Sequence, residues 1–558
     1  MLVGCDSTLT TVEYNLEIND VIGLGTVNPA AGTYTFEKGT SVDLIVTSYP
    51  GGEFSEWSGS DGDDVATVDE ESGEYRILMD SNKEITALFI PAPLLVPTDY
   101  PTIQAAIDAS AHGDIIMVEP GIYNENIDFK GKNITLRSII PTDPDIVAAT
   151  IIDGDGSGRV VTFDSEESEE AVLWGFTIRG GDATGLFGSN DGGGILINNS
   201  SSPLISGNLI TGNTAQRGAG VFVGNQSSPV FKDNTFENNT ATNRQATGIY
   251  VIQKSSVTIS NNIFQNNNGG AIHIGHTGIS NDQSSATITN NLIDNNIPDH
   301  GTGGITVIYD SDAIIEGNTI TNNFGRGDHR GAAITIYHSS AEITDNIISN
   351  NEGWQRGAVV ISTNSVATIN NNTITGNTAG EPGENGSGGG ISVISVSNAH
   401  IFENTISENT AWNSNCGGGG IFISASEATI DDNDILNNHA YRYGGGIYLW
   451  GGVTKATITN NNISDNSAMD HWQAQGGGIH VGNITEATIY GNDISNNWAE
   501  WYGGGIYIYQ NIPIYGAGET SWNRENSPPG NETNNTYSEN AHGDNQYGGA
   551  DAFFRETI

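Results

Sequence analysis

Three neighbouring stretches hold the residue types that proton-abstraction chemistry on a sugar acid requires. They are Asp299-His300, Arg326-Gly-Asp328-His329-Arg330 and Trp354-Gln-Arg356, at near-equal spacing, with Tyr337 and His338 after the second. Elimination beside a uronate carboxylate needs cations to neutralise the carboxylate, a base for the neighbouring proton and an acid for the leaving oxygen. His329 fits the base, with His300 nearby. Arg330 and Arg356 fit the neutralisers, and Tyr337 the acid. Hydrolysis would instead require paired carboxylates at a defined separation. Asp310, Asp312 and Glu316 are available, but spacing alone does not select among them.

A second set of side chains suits binding without reaction. Six of the nine tryptophans lie beyond residue 400. Tyr448, Trp450, Trp472, His480, Trp498, Trp501, Tyr502, Tyr507 and Tyr509 concentrate there, and Trp412 and Tyr441 precede them. Flat sugar faces stack on exposed rings, and an exposed aromatic row is costly unless used or covered. The competing reading is that the rings pack on each other and on adjacent loops.

These residues are positioned by a repeat. Asn-x-Ile-x-x-Asn first appears at Asn208–Asn213 and last at Asn492–Asn497 (Phe replaces Ile at 236 and 264), eleven copies with a mean spacing of about 28 residues. A fixed period in this range signals a solenoid. Each repeat has a glycine-rich start followed by Ile-x-Ile, as in Gly445-Gly446-Ile447-Tyr448-Leu449, then a second short strand such as Ala456-Thr-Ile458. The Asn stretch supplies a third. Like residues then stack about 4.8 Å apart. Asn suits bends because it tolerates left-handed backbone, and stacked amides can bond one another. In Ile-x-Ile the middle residue is expected to point outward. The fold class is therefore all-β, a solenoid of about a dozen coils.

The start of that solenoid carries a resemblance. Tyr100-Pro-Thr-Ile-Gln-Ala-Ala-Ile-Asp-Ala109 reads as a short amphipathic helix capped by Thr102, and Gly113–Ile127 and Lys132–Leu136 read as strands. This stretch resembles the beginning of right-handed parallel β-helices of the pectin-lyase-like superfamily. The resemblance implies the fold and leaves activity open, since that fold serves both enzymes and binding proteins. The Gly-Gly-x-Ile and Phe/Ile-x-x-Asn elements are also similar to passenger domains of polymorphic autotransporter adhesins. Before the helix, Tyr14–Ile18, Gly39–Leu44, Phe54–Gly59 and Ile85–Phe89 resemble the divergent internalin-type B-repeat, which implies a bacterial cell-surface setting. Trp57 belongs to its expected core.

The resulting division is an N-terminal segment 1–13, a β-rich module 14–90, a Pro-rich linker 91–100 and a β-helix 101–558. Leu2-Val3-Gly4-Cys5 looks like a lipobox, which makes Cys5 a candidate lipid-attachment site. The tail departs from the period, with a loop around Pro513–Gly530, a last coil near Asn535–Asn540 and a terminal cap at Ala552-Phe-Phe554. Asp153-Gly-Asp155-Gly-Ser157-Gly158, with Asp164 at the twelfth position, mimics a calcium loop. Strand-like flanks favour a glycine-rich turn instead, and Ca2+ is the one cofactor left open.

Composition bounds the partners. A formal charge of −47 with only 19 Lys+Arg excludes a nucleic-acid partner. Anionic polymers are repelled unless cations bridge them. No stretch is long and apolar enough to span a membrane. The leading expectation is a secreted or surface-tethered protein that binds a polysaccharide or cell-surface glycan through exposed aromatic rows. The alternatives are a polysaccharide lyase, epimerase or glycoside hydrolase working in a groove, and a self-associating extracellular scaffold.

Overall fold

The computed structural model describes residues 11–509 except 24, 50–51, 70–71, 186–189, 243–247, 277–282, 328–329, 381–385, 413–416 and 470–473; beyond 509 it describes the backbone of four short strands. Two four-stranded sheets form the N-terminal module, from Glu13–Ile18 to Lys83–Pro91. They enclose Leu16, Leu44, Ile77, Ile85 and Phe89. Trp57 sits in that core, its ring 5.7 Å from Phe54 and 5.9 Å from Tyr75.

The remainder is a parallel β-helix built on sheets of 16, 15 and 15 strands. One turn shows the order. Lys455–Thr459 lies in the first sheet, Asn462–Ser464 in the second and Ile479–Val481 in the third. Between the second and third runs a strip of strands two or three residues long, such as Ser467–Ala468, nine strands in all. The sequence pattern of three strands per turn missed this strip. Leu94–Val96, expected as linker, is already the first strand of the first sheet. Helix α1 (Ile103–Ala109) follows, with Thr102 accepting from Ala105 N at 3.1 Å and Ile103, Ala106 and Ile107 buried, as the pattern predicts. Ile514–Tyr515, inside the expected tail loop, pairs with the first sheet. Ala552–Arg555 is the last strand of the third sheet rather than a cap.

Two asparagine ladders fasten the turns. Asn208 to Asn492 form one and Asn213 to Asn497 the other, all at most 2 % exposed. Asn346 is representative. Its Oδ1 accepts from Asn318 N at 2.9 Å and Asn318 Nδ2 at 3.0 Å. Its Nδ2 donates to Ile315 O, Thr344 O and Asn372 Oδ1 at 2.8–2.9 Å. A buried amide is thereby satisfied on every turn. The left-handed backbone falls one residue earlier than expected, at Asp345, Asn350, Asn371 and their equivalents. The ladder residue needs its side chain turned inward; the bend residue needs only tolerance of positive φ.

Glycine is required where the second ladder meets the third sheet. A Cβ on Gly446 would lie 2.7 Å from Gly478 O and 3.2 Å from the Asn466 amide carbon. Gly194, Gly390, Gly420 and Gly478 meet equivalent atoms of their neighbouring turns.

Candidate functional site

The middle residues of the third sheet do not face solvent. Tyr448, His480 and Tyr507 are 4 %, 2 % and 0 % exposed. This corrects the outward-pointing expectation. Residues just before the glycines, Tyr443 and Tyr502 among them, form a second layer over the outer face of this sheet. Registered bridges Gly417–Tyr443, Tyr443–Gln475 and Gln475–Tyr502 trace that layer from turn to turn. His480 contacts Tyr443 at 4.7 Å and Tyr448 and Tyr507 at 5.0 Å. Burial holds its pKa down at about 3. His273 lies in the same covered column, on Tyr250 at 4.6 Å, with its pKa likewise lowered to about 3 by burial.

Arginines complete the cover. Arg217 lies 5.6 Å from the Phe222 ring centre and 5.5 Å from Tyr250. It also donates to both oxygens of buried Asp191, at 2.7 and 2.6 Å. Arg442 lies 4.8 Å from the Tyr443 ring centre. Such guanidinium–ring contacts are attractive and strengthen as water is excluded.

Of the cluster proposed for elimination chemistry, Arg330 and Tyr337 come together, and Arg356 and His300 meet other neighbours. Arg330 lies against Tyr337, 5.9 Å from its ring centre, and burial lowers its pKa. Arg356 reaches the Phe422 ring at 5.2 Å. His300 is exposed and stands against Gly327, where a Cβ would meet its ring at 2.8 Å. His329 lies outside the described residues, as do Trp472 and Cys5. Beside Tyr337 the structure gathers a group that the sequence named only in part. Tyr309 is 5.4 Å from Tyr337, and His338 Nδ1 is 3.2 Å from Asp310 Oδ1. Asp153 of the calcium-like stretch accepts from Asp155 N at 2.9 Å and from Arg179 Nε at 2.8 Å. The segment is a turn between the strands Thr150–Asp153 and Val161–Phe163. Among the described residues no group of three or more His, Cys, Asp or Glu side chains has a metal-holding arrangement.

Exposed aromatics occur elsewhere. On the strip, Thr410, His439, Ser467 and Trp498 stack in register on successive turns. Backbone bonds carry the parallel run one residue further, through Trp412, Tyr441 and Met469. Trp412 and Met469 are each 46 % exposed, and Tyr441 and Trp498 are half-buried. The Trp412 ring meets His439 edge-on at 5.9 Å, and burial lowers the pKa of that histidine. Trp501 and Tyr502, rings 5.6 Å apart, flank the end of this patch, half-buried. Trp450, 43 % exposed, and half-buried Tyr509 close third-sheet strands elsewhere. On the first sheet, a groove of about 490 Å³ is lined by Asp312, Ile314, Ser340 and Glu342.

Comparison with known families agrees with this architecture. The family model described as right-handed beta helix region matches residues 168–281, 243–411, 277–463 and 389–556. The chain belongs to the right-handed β-helix family. The divergent InlB B-repeat domain matches residues 14–93, the N-terminal module. No curated protein and no solved structure matches the chain. The right-handed β-helix and its B-repeat module are thus those expected from the residues. No helix among the described residues is long and apolar enough to cross a membrane.

Proposed function

We propose that this right-handed β-helix is a secreted or surface-held glycan-binding protein with an adhesive or structural role, and that it acts without catalysis. The supporting observation is the patch on the strip, where Trp412, Tyr441 and Met469 form a row over adjacent turns and Trp498 follows beside it, in line with His439 and Ser467. Trp412 and Tyr441, on turns about 4.8 Å apart, offer neighbouring rings to an extended sugar chain, and Met469 and Trp498 continue the surface. The strong negative charge favours a neutral glycan over a uronate polymer. Arg330 and Arg356 lie against protein rings, which supports binding over elimination. The B-repeat module supports a surface setting.

The test is a glycan array run together with a product-release assay. The expected result is retention of a neutral glycan with no new reducing ends or unsaturated products. Trp412→Ala with Trp498→Ala should weaken retention at least about tenfold while leaving the melting temperature within a few degrees. Retention unchanged in that variant would sink the reading. Shortened products lost on Asp312→Asn or Glu342→Gln would move function to the first-sheet groove.

A further inference from the structure

A separate cleft lies at the opposite end of the β-helix, where the chain departs from its own repeat. In later turns, the first and second sheets are joined by two residues, such as Gly207-Asn208 and Asp233-Asn234. After Thr135–Ser138 the connection instead contains helix α2 (Pro144–Ala149). Asp143 caps it by accepting from Asp145 N at 2.9 Å, and Thr150 Oγ1 donates to Ile146 O at 2.8 Å. Thr177 Oγ1 donates to Val147 O at 2.9 Å, tying the helix to the second sheet. No α2 residue is buried, so the helix contributes no core. It stands beside the solenoid as a wall.

That wall encloses a cleft of about 590 Å³, within the size range of small-ligand sites. Its floor is Trp174 and Leu209, its wall Pro144 and Val147, and its rim Lys232 and Asp233. The strand register places Trp174 beside Ser206, and Ser206 beside Lys232. Lys232 therefore stands two turns, roughly 10 Å, above the indole. Gly207 permits this floor. A Cβ there would lie 3.1 Å from Trp174 Cδ1 and Nε1. Lys232 Nζ and Asp233 Oδ2 are 3.9 Å apart, both half-exposed, too far for a good hydrogen bond with each other.

We infer that the cleft between α2 and the first sheet is a second binding site, for a neutral pyranose unit of a glycan. The C–H face of the sugar lies on Trp174. The Asp233 carboxylate accepts from ring hydroxyls, and the Lys232 ammonium donates to them. One cation and one anion at the rim cancel, while the surrounding chain carries −47; a uronate gains nothing there. The site shares no residue with the aromatic patch on the strip, so each can fail alone.

Titration calorimetry on the full chain tests it, using cellohexaose, xylohexaose, mannohexaose and hexagalacturonate as probes. At least one neutral hexasaccharide should bind in a Trp412→Ala/Trp498→Ala background. Trp174→Ala should weaken that binding at least about tenfold, as should Lys232→Ala/Asp233→Gly, which removes both side chains at a bend whose φ of 57° glycine tolerates. Gly207→Ala, whose methyl presses on the indole, should also weaken it. The inference is overturned if no neutral probe binds in that background, if hexagalacturonate binds best, or if binding survives both the tryptophan and the rim variants. Loss of binding in the Trp412→Ala/Trp498→Ala background with Trp174 intact would place all recognition on the strip and overturn it equally.

Discussion

Replacing one ladder asparagine should loosen the turns around it, and Asn346→Ala is the sharpest case. The substitution removes five hydrogen bonds, two accepted by Oδ1 and three donated by Nδ2. The Asn318 side chain keeps partners at Ile288 O and Glu316 O, but the Asn318 backbone N–H loses its Asn346 acceptor inside the helix. An orphaned buried donor costs about 1–3 kcal/mol, and each further bond about 0.5–1.5 net. With partial relaxation, the expected loss is about 3–5 kcal/mol, a large part of typical domain stability. The control is Asn350→Gly, at an exposed bend with φ 54°, which should stay within about 0.5 kcal/mol. Solenoid stability is local, so a melting temperature alone is a blunt readout. Hydrogen exchange by mass spectrometry reads the relevant amides directly. Peptides containing Asn318 and Asn346 should exchange faster in Asn346→Ala, with turns near Asn208 unchanged. If both variants melt alike and exchange at Asn318 is unaltered, the ladder does not hold the turns together, and backbone pairing alone suffices.

Other consequences are as direct. Arg217→Ala leaves Asp191, at 3 % side-chain exposure, without its bidentate partner. It should cost about 3–5 kcal/mol, and Asp191→Ala in the same chain should restore part of it; urea unfolding of the single and double variants checks this. His273 and His480 have folded pKa values of about 3, well below the ordinary 6.5. Below pH 6.5 the unfolded chain takes up protons that the folded chain refuses, so stability present above 6.5 falls as pH drops toward 3. At pH 5 the loss is on the order of 2 kcal/mol per histidine, and His480→Phe should flatten the dependence of melting temperature on pH between 5 and 7. Gly446→Ala must push a methyl toward Gly478 O and should destabilise by about 1–3 kcal/mol. Gly452→Ala, with open space at that position, should be near neutral in the same melts.

The ladders were legible because stacking repeats a residue at each period, so Asn208, Asn234 and Asn262 announce themselves. The bend was placed one residue late for the same reason. Asn238, Asn266 and Asn295 precede ladder asparagines, and composition does not separate a bend residue from the amide beside it. The third sheet was misread on a different ground. Strand alternation gives two faces but does not say that the second is wet. Leu196, Phe222, Tyr250 and Val360 in that column were the available sign of a cover. So were the small residues two places after most second ladder positions, as in Ala411, Ala440 and Ala468. The α2 cleft left no periodic trace. Its parts lie at 144, 174 and 232, brought together only by strand register.

The covered sheet also explains where a strongly acidic chain places its few cations. Arg217, Arg330, Arg356 and Arg442 all lie on rings of the third-sheet face or the layer above it. Lysine would serve poorly there. Guanidinium is weakly hydrated and planar, so it stacks on a ring while its N–H groups still reach partners at the edge. Arg330 and Arg356 read in sequence as carboxylate neutralisers because catalysis and covering demand the same property, a fixed charge beside an aromatic ring. Geometry separates the two uses. A neutraliser must leave its N–H groups facing a groove that admits substrate, whereas Arg217 turns its own toward buried Asp191. The two sites proposed for glycan binding, the strip at Trp412 and the floor beneath α2, both lie outside that cover.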